Sequence, residues 1–294
     1  MTLLTNLWFP AGAAVTDFAG LTAYGAQYVP SPAVMADPEI AARVQVMTAP
    51  YGLSEQVCRL THFAADSAIN AYGYKTQLTP AFTGALRDPI SNWVGYSASR
   101  RWYRFKFMLP ADWVWEKWNN GSQRCVVFQV HDTIDTSPGD YDTSPPLWVI
   151  AYPDGTFHVD ITSCSATQKT SSNFTVRSAT ILRPTPGVPM EVVIYAKWAY
   201  DTTGALKIWV DRRLHFEETG VANCSNDDPA RGGSGLFANL DLYSKDSPND
   251  QTVYHWGIQI GDESYATYND FAAACGAGSE LESAIATGGI NIIV

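Results

Sequence analysis

Four short runs of this sequence place two or more polar residues on one side of an otherwise apolar stretch. Cys125–Asp132 carries Gln129 and His131 among Val126, Phe128 and Val130. Leu236–Tyr243 sets Asn239, Asp241 and Tyr243 against Leu236, Ala238, Leu240 and Leu242. Trp102–Leu109 sets Arg104 and Lys106 against Tyr103, Phe105 and Phe107, and Lys75–Thr79 carries Lys75 and Gln77. In extended chain, residues i and i+2 share a face. Each run is therefore expected to bury one side and offer the other. If the four polar faces are neighbours, they form a cleft of Lys, Arg, Gln, His, Asn and Tyr. That set suits β-elimination on a uronate polymer. Gln, Asn or Arg neutralises the carboxylate. A neutral His or an ionised Tyr takes the proton alpha to it, and Tyr returns a proton to the leaving oxygen. No metal is required.

The elements that must position these groups read as strands. Candidates are Val57–Thr61, Lys75–Thr79, Trp102–Leu109, Cys125–Asp132, Leu147–Tyr152, Thr156–Ile161, Glu191–Lys197, Leu206–Asp211, Leu236–Tyr243 and Val253–Gly261. Turn formers separate them, such as Pro153-Asp154-Gly155 and Thr202-Thr203-Gly204. Many short strands at this spacing point to an all-β sandwich or jelly roll. Residues 1–50 are Ala-rich and broken by Pro30, Pro32, Pro38 and Pro50. They are read as an irregular arm or extra layer, with one short helix within Asp37–Met47. Residues 51–263 form the β domain. Residues 264–294 form a C-terminal extension with a helix from Tyr268 to Cys275 and an apolar end, Ile290 to Val294, that needs a surface to dock on.

Composition narrows the function classes. The chain has 294 residues and a net charge of −10. Nucleic-acid binders usually carry a basic patch or a high pI, so nucleic acid is excluded as the expected partner. No apolar run approaches the ~18 residues of a membrane-crossing helix. Aromatics are 13% and charged residues only 16%, a balance suited both to β-sheet cores and to flat surfaces that meet sugar rings. Trp148 and Trp209 are candidates for such platforms, or for core and rim. The five cysteines show no metal-binding spacing. Asn226-Asp227-Asp228, and Asp132 with Asp135, are the segments that could hold a structural calcium through oxygens. Met1 to Gly20 lacks the basic start of a secretory leader. The matching expectation is an extracellular or virion location, reached either as an already mature chain or by another route, such as the lysis by which bacteriophage proteins leave.

The order of these motifs resembles a known family. Tyr74-Lys75-Thr76-Gln77-Leu78, Phe128-Gln129-Val130-His131-Asp132 and Asn239-Leu240-Asp241-Leu242-Tyr243 resemble the Arg-x-Glu-Leu, Gln-x-His and late Lys/Tyr strands of alginate-lyase-like jelly rolls. Arg101 to Pro110, Pro145-Pro146-Leu147, Lys197-Trp198, Gly204 to Asp211 and Val253 to Asp262 resemble segments of heparin-lyase-like relatives. The resemblance implies a concanavalin A-like jelly roll that cleaves an anionic polysaccharide such as alginate or glucuronan, with no cofactor. It implies Gln129, His131 and Tyr243 as catalytic residues. It implies Arg104, Lys106, Lys75, Gln77, Asn239 and Lys197 as substrate-binding residues. Lys75 and Gln77 stand where the family has Arg and Glu, and Asn239 where it has Lys. The alternative reading is a non-catalytic carbohydrate-binding or structural virion protein on the same fold, with virion or self contacts through its termini. A glycoside hydrolase would need paired carboxylates, and no Glu-x-Asp-x-x-Glu strand is present.

Overall fold

The computed structural model describes residues 3–9, 22–24, 42–63, 74–79, 99–115, 125–132, 145–166, 170, 172–225, 236–244, 249–281 and 291–293. Within them the chain order is β1 (Leu3–Trp8), β2 (Thr22–Tyr24), β3 (Val44–Thr48), β4 (Gln56–His62), β5 (Tyr74–Thr79), β6 (Ser99–Met108), β7 (Cys125–Asp132) and β8 (Leu147–Ala151). It continues with β9 (Phe157–Ser163), β10 (Thr175–Leu182), β11 (Met190–Trp198), β12 (Gly204–Val210), β13 (Arg213–Val221), β14 (Leu236–Ser244) and β15 (Gln251–Gly261). The helix α1 (Tyr268–Ala274) and β16 (Asn291–Ile293) close it. The strands form two sheets with antiparallel pairings throughout. The first runs β13-β12-β11-β6-β15-β4-β3, with β1 also on β15. The second runs β16-β10-β9-β8-β7-β14-β5-β2. This is the all-β sandwich expected of a jelly roll.

Alternation builds the core between the sheets. Tyr103, Phe105 and Phe107 of β6, Val192, Ile194 and Ala196 of β11, and Ile258 and Ile260 of β15 come from the first sheet. Phe128 and Val130 of β7, Val149 of β8, Val159 of β9, and Leu240 and Leu242 of β14 come from the second. Phe105 and Phe128 stack across the sandwich at 4.1 Å with an 11° interplanar angle. Phe107 meets Phe157 edge-on at 5.2 Å. Burying each such ring contributes roughly 1.5–3 kcal/mol. The buried Trp198 donates its indole N–H to the Tyr103 hydroxyl at 3.1 Å, so the core loses no hydrogen bond there.

The segments at the two ends are part of this packing. Residues 1–50, expected as an arm or extra layer, supply β1 and β3 to the first sheet and β2 to the second. The helix expected within Asp37–Met47 gives way to strand from Val44 on, because Val44 and Val46 pair with Leu60 and Cys58 of β4. After β15 the chain folds over the outer face of the first sheet. There Tyr265, Tyr268 and Phe271 cover Trp102, Val193 and Trp209. Thr267 and Asp270 form a reciprocal capping box at the start of α1, which satisfies two backbone donors. The indole of Trp209 donates to Glu280 at 2.6 Å, so this residue serves the extension and is no sugar platform. The terminal run docks through β16 on the edge strand β10. At Gly257 (φ 139°) β1 packs tightly on β15: a Cβ there would lie 2.1 Å from the Leu7 carbonyl oxygen.

Within the β domain, two strands, β10 and β13, are not visible as strands in the sequence. Their solvent sides are polar and their core sides short, so the apolar alternation is weak. One parity also differs. In β7 the core takes Cys125, Val127, Phe128 and Val130, whereas Val126, expected inward, is outside that cluster. The cause is a bulge between Val126 and Phe128 against β8.

Leu242 is fully buried in the core. Leu242→Ala is expected to cost about 2–5 kcal/mol, read as a lower denaturant midpoint. A midpoint equal to the parent's would contradict the assigned facing of β14.

Candidate active site

β7 and β14 are neighbours in the second sheet, and their register brings the expected residues together. Gln129 lies directly opposite Asn239, and His131 opposite Phe237. On the other flank of β7, Gln129 lies opposite Trp148 of β8, and Trp148 opposite Asp160 of β9. Opposed side chains in such pairs have Cβ atoms about 5 Å apart. The row Asp160, Trp148, Gln129, Asn239 therefore crosses four strands on the outer face of the sheet. β5 adds Gln77 opposite Asp241 and Lys75 opposite Tyr243. The side chains of Lys75 and Gln77 lie outside the described residues.

Both strands break their ladder at this spot. Besides the β7 bulge, β14 carries an extra residue against β7 between Leu240 and Tyr243. Bulges re-aim side chains and occur often beside active sites. Here Tyr243 comes to lie edge-on to Trp148, with ring centroids 6.5 Å apart and an interplanar angle of 79°, across the intervening β7.

The site has a buried floor and a reachable rim. Gln129, Asn239 and Asp241 are 1%, 2% and 0% exposed, while His131, Trp148 and Tyr243 are half-buried. The Gln129 amide nitrogen is buried with no hydrogen-bond partner among the described residues. A buried donor left unmade costs about 1–3 kcal/mol, so this amide is in place for an acceptor that the described residues do not supply. Burial, and secondarily the Asp241 charge, push the Tyr243 hydroxyl up to about 12. The phenol therefore keeps its proton at neutral pH and is suited to donate it.

Three of the four cations expected at this site lie elsewhere; the fourth, Lys75, is in register with Tyr243. Arg104, Lys106 and Lys197 project from the outer face of the first sheet, because β6 and β11 pair with each other there. The Arg104 Nε donates to Glu191 at 2.9 Å. Its Nη1 donates to Gln259 and, at 3.1 Å, to the Cys275 carbonyl. Its guanidinium also lies 4.3 Å from the Trp8 ring centroid. Arg104 thus ties the first and last segments onto the sheet. Lys106 pairs with Glu55 at 3.0 Å and lies over Trp256. Lys197 alternates with the core residues Ala196 and Trp198, so it faces away from the sandwich. Alternation tells which face of its own sheet a residue takes, and says nothing of which sheet that is.

Asp160 was not singled out by the sequence, yet it shares the row of Gln129. It accepts from the Tyr152 hydroxyl at 3.3 Å, and the Tyr152 ring stacks on His158 at 4.1 Å. Alternation along Phe157–Ile161, with Phe157, Val159 and Ile161 inward, was the available signal. Among the described residues no cluster of His, Cys, Asp and Glu could hold a metal ion. The Asn226–Asp228 segment, Asp135 and the Asp132 side chain, which could hold calcium or simply form solvated loops, lie outside the described residues.

Residues 58–259, more than two thirds of the chain, match the sequence profile of the family described as polysaccharide lyase. The chain belongs to that family. No curated protein sequence matches this lyase. Its fold is similar to that of an endo-β-1,4-glucuronan lyase from the fungus Trichoderma reesei, with a TM-score of 0.58 and 16% identity over 77% of this chain and 88% of that one. It is similar to an alginate lyase from Aplysia kurodai, with a TM-score of 0.53 and 10% identity over 89% and 100%. The T. cruzi calreticulin globular domain shares the fold as well, with a TM-score of 0.50 and 11% identity over 89% and 88%. Among the described residues of the lyase no helix is long and apolar enough to cross a membrane.

The placement of Arg104 has a testable consequence. Arg104→Ala leaves the mostly buried Glu191 carboxylate without its partner, at a cost of about 3–5 kcal/mol. Melting temperature is expected to drop while KM for a cleaved polymer stays within about two-fold. A large rise in KM with unchanged stability would put Arg104 back in the substrate site.

Proposed function

We propose that this lyase cleaves a uronate-containing polysaccharide by β-elimination on the outer face of its second sheet, at Gln129, His131, Asn239 and Tyr243. The observation that carries the reading is the buried, unpartnered Gln129 amide, in register with Asn239 and between His131 and Tyr243 on adjoining strands. A uronate carboxylate accepting from Gln129 and Asn239 has its charge neutralised. That neutralisation acidifies the proton on the adjacent ring carbon, C5.

The half-buried His131, in its neutral form, takes the C5 proton. The electron pair left behind forms the C4–C5 double bond as the bond from C4 to the glycosidic oxygen breaks. Tyr243, protonated because its hydroxyl is pushed up to about 12, donates to that departing oxygen. The products are an unsaturated uronate at a new non-reducing end and a free hydroxyl on the other fragment. Trp148 offers a half-exposed ring beside Gln129 for a sugar face. Lys75 and Gln77, in register with Tyr243 and Asp241, are assigned to ordering neighbouring residues of the polymer. The partner is thus an anionic polysaccharide, and the structural neighbours named for glucuronan and alginate support those two as the first polymers to test. An extracellular or virion setting, where such polymers are met, fits this substrate.

Incubation with a panel of uronate polymers, followed by ultraviolet absorbance of the unsaturated product, tests the reading. Binding without product on every polymer would favour a carbohydrate-binding protein instead. Tyr243→Phe removes one hydroxyl and keeps the ring. It is expected to fold normally and lose about 10²–10⁴-fold in kcat. His131→Ala should lose comparably, since groups acting as a unit are not additive, and polymer binding should fall much less in both. Full turnover in Tyr243→Phe would end the assignment. The alkaline side of the rate profile gives a separate check. An acid with an ordinary tyrosine value would be lost near pH ~10, whereas Tyr243 is expected to hold its proton toward pH 12. On a protein still folded at that pH, turnover should persist past 10.

A further inference from the structure

His255 is fully buried and belongs to the sheet opposite the candidate site. Its in-register neighbours, Cys58 on β4 and Phe107 on β6, both belong to the core, so its ring points into the sandwich. There its Nε2 lies 3.1 Å from the main-chain carbonyl oxygen of Asp241 on β14. A carbonyl can only accept, so Nε2 carries the hydrogen. The other ring nitrogen has no hydrogen-bond partner among the described residues. Burial pushes the imidazole down to about 4, so it is neutral at neutral pH. An imidazole in an apolar core is costly to keep, and its one bond goes to the strand that carries Tyr243.

The acceptor lies within the β14 bulge, between Leu240 and Tyr243. Ladder carbonyls bond within the plane of their sheet. A bulge leaves its extra residue outside that pattern, and the Asp241 carbonyl finds its donor across the core. β15 is irregular at the same level: its register on β6 shifts between His255 and Gly257, where φ is 139°. The bond therefore joins a bulge in one sheet to a bulge in the other.

We propose that His255 is a positioning residue for the acid of the reaction: by donating its Nε2 hydrogen to the Asp241 carbonyl it holds the β14 bulge, and the bulge sets the direction of Tyr243. The catalytic half of this inference rests on the reading of Tyr243 as the acid. The clamp itself does not.

Three variants separate positioning from mere packing. The amide nitrogen of Gln reaches about where Nε2 lies, that of Asn falls short, and Leu fills volume without donating. His255→Leu and His255→Asn are expected to lose about 10–100-fold in kcat with KM within about three-fold, because small misplacements of catalytic groups cost on that scale. His255→Gln is expected to recover kcat to within a few-fold of the parent. Amide hydrogen exchange across 240–243, which needs no substrate, should accelerate in the Leu and Asn variants and stay near the parent's rate in the Gln variant. If His255→Leu does not fold, the Asn and Gln variants decide alone. Equal losses in Gln and Asn, or parental kcat and exchange in Asn, would overturn the proposal. If the parent cleaves no polymer, the reading of the site fails separately. Accelerated exchange confined to 240–243 would then still uphold the clamp, and unchanged exchange would overturn it.

Discussion

The rings of Phe105 and Phe128 lie 4.1 Å apart and nearly parallel, and they come from opposite sheets. Both are fully buried. That contact fixes the facing of β6 and β7 together, because a one-residue slip in either strand would turn every apolar side chain to the wrong side. Once Phe128 is inward, Gln129 and His131 must be outward. Once Leu240 and Leu242 are inward, Asn239, Asp241 and Tyr243 must be outward. The polar face proposed for the chemistry is thus the other side of the hydrophobic core, and its geometry follows from what the core demands.

Strict alternation alone would give a regular row of side chains at ladder spacing. The site departs from that at two bulges, after Val126 on β7 and after Leu240 on β14. The second leaves a main-chain carbonyl for His255 to satisfy from across the core. It also sets Tyr243 against the Trp148 ring. The same crowding that buries Asp241 and half-buries Tyr243 keeps the phenol protonated. Local irregularity and pKa tuning are therefore two results of one packing arrangement.

The opposite outer face uses its polar residues for a different end. Arg104 gathers Glu191, Gln259, the Cys275 carbonyl and the Trp8 ring, while Gln259 reaches Asn6 at 2.8 Å. These contacts fasten the first strand and the last helical segment over a sheet that would otherwise expose Trp102 and Trp209. A cationic cluster in the sequence reads as an anion site, but here the anion is the protein's own carboxylate. Sandwiches of this kind carry many functions, so it is the β7–β14 face, and not the fold, that bears on activity.

Much of this was legible in the residues themselves. The strands Cys125–Asp132 and Leu236–Tyr243, their facing around Phe128, Leu240 and Leu242, and the short helix after Ser264 follow from local patterns of period two and from capping residues. Those are nearest-neighbour effects, and sequence carries them directly. The tertiary structure alone decided which strands are adjacent. Arg104 and Gln129 have the same outward parity on similar strands, yet one lies on each sheet, because pairing is set by long-range burial and not by local pattern. The two bulges, the strands of the first fifty residues and the path of the His255 bond across the core were likewise invisible. Each depends on contacts between segments distant in the chain, such as Val44 with Leu60, Leu7 with Gly257 and Asp241 with His255, whose energies exist only once both partners are in place.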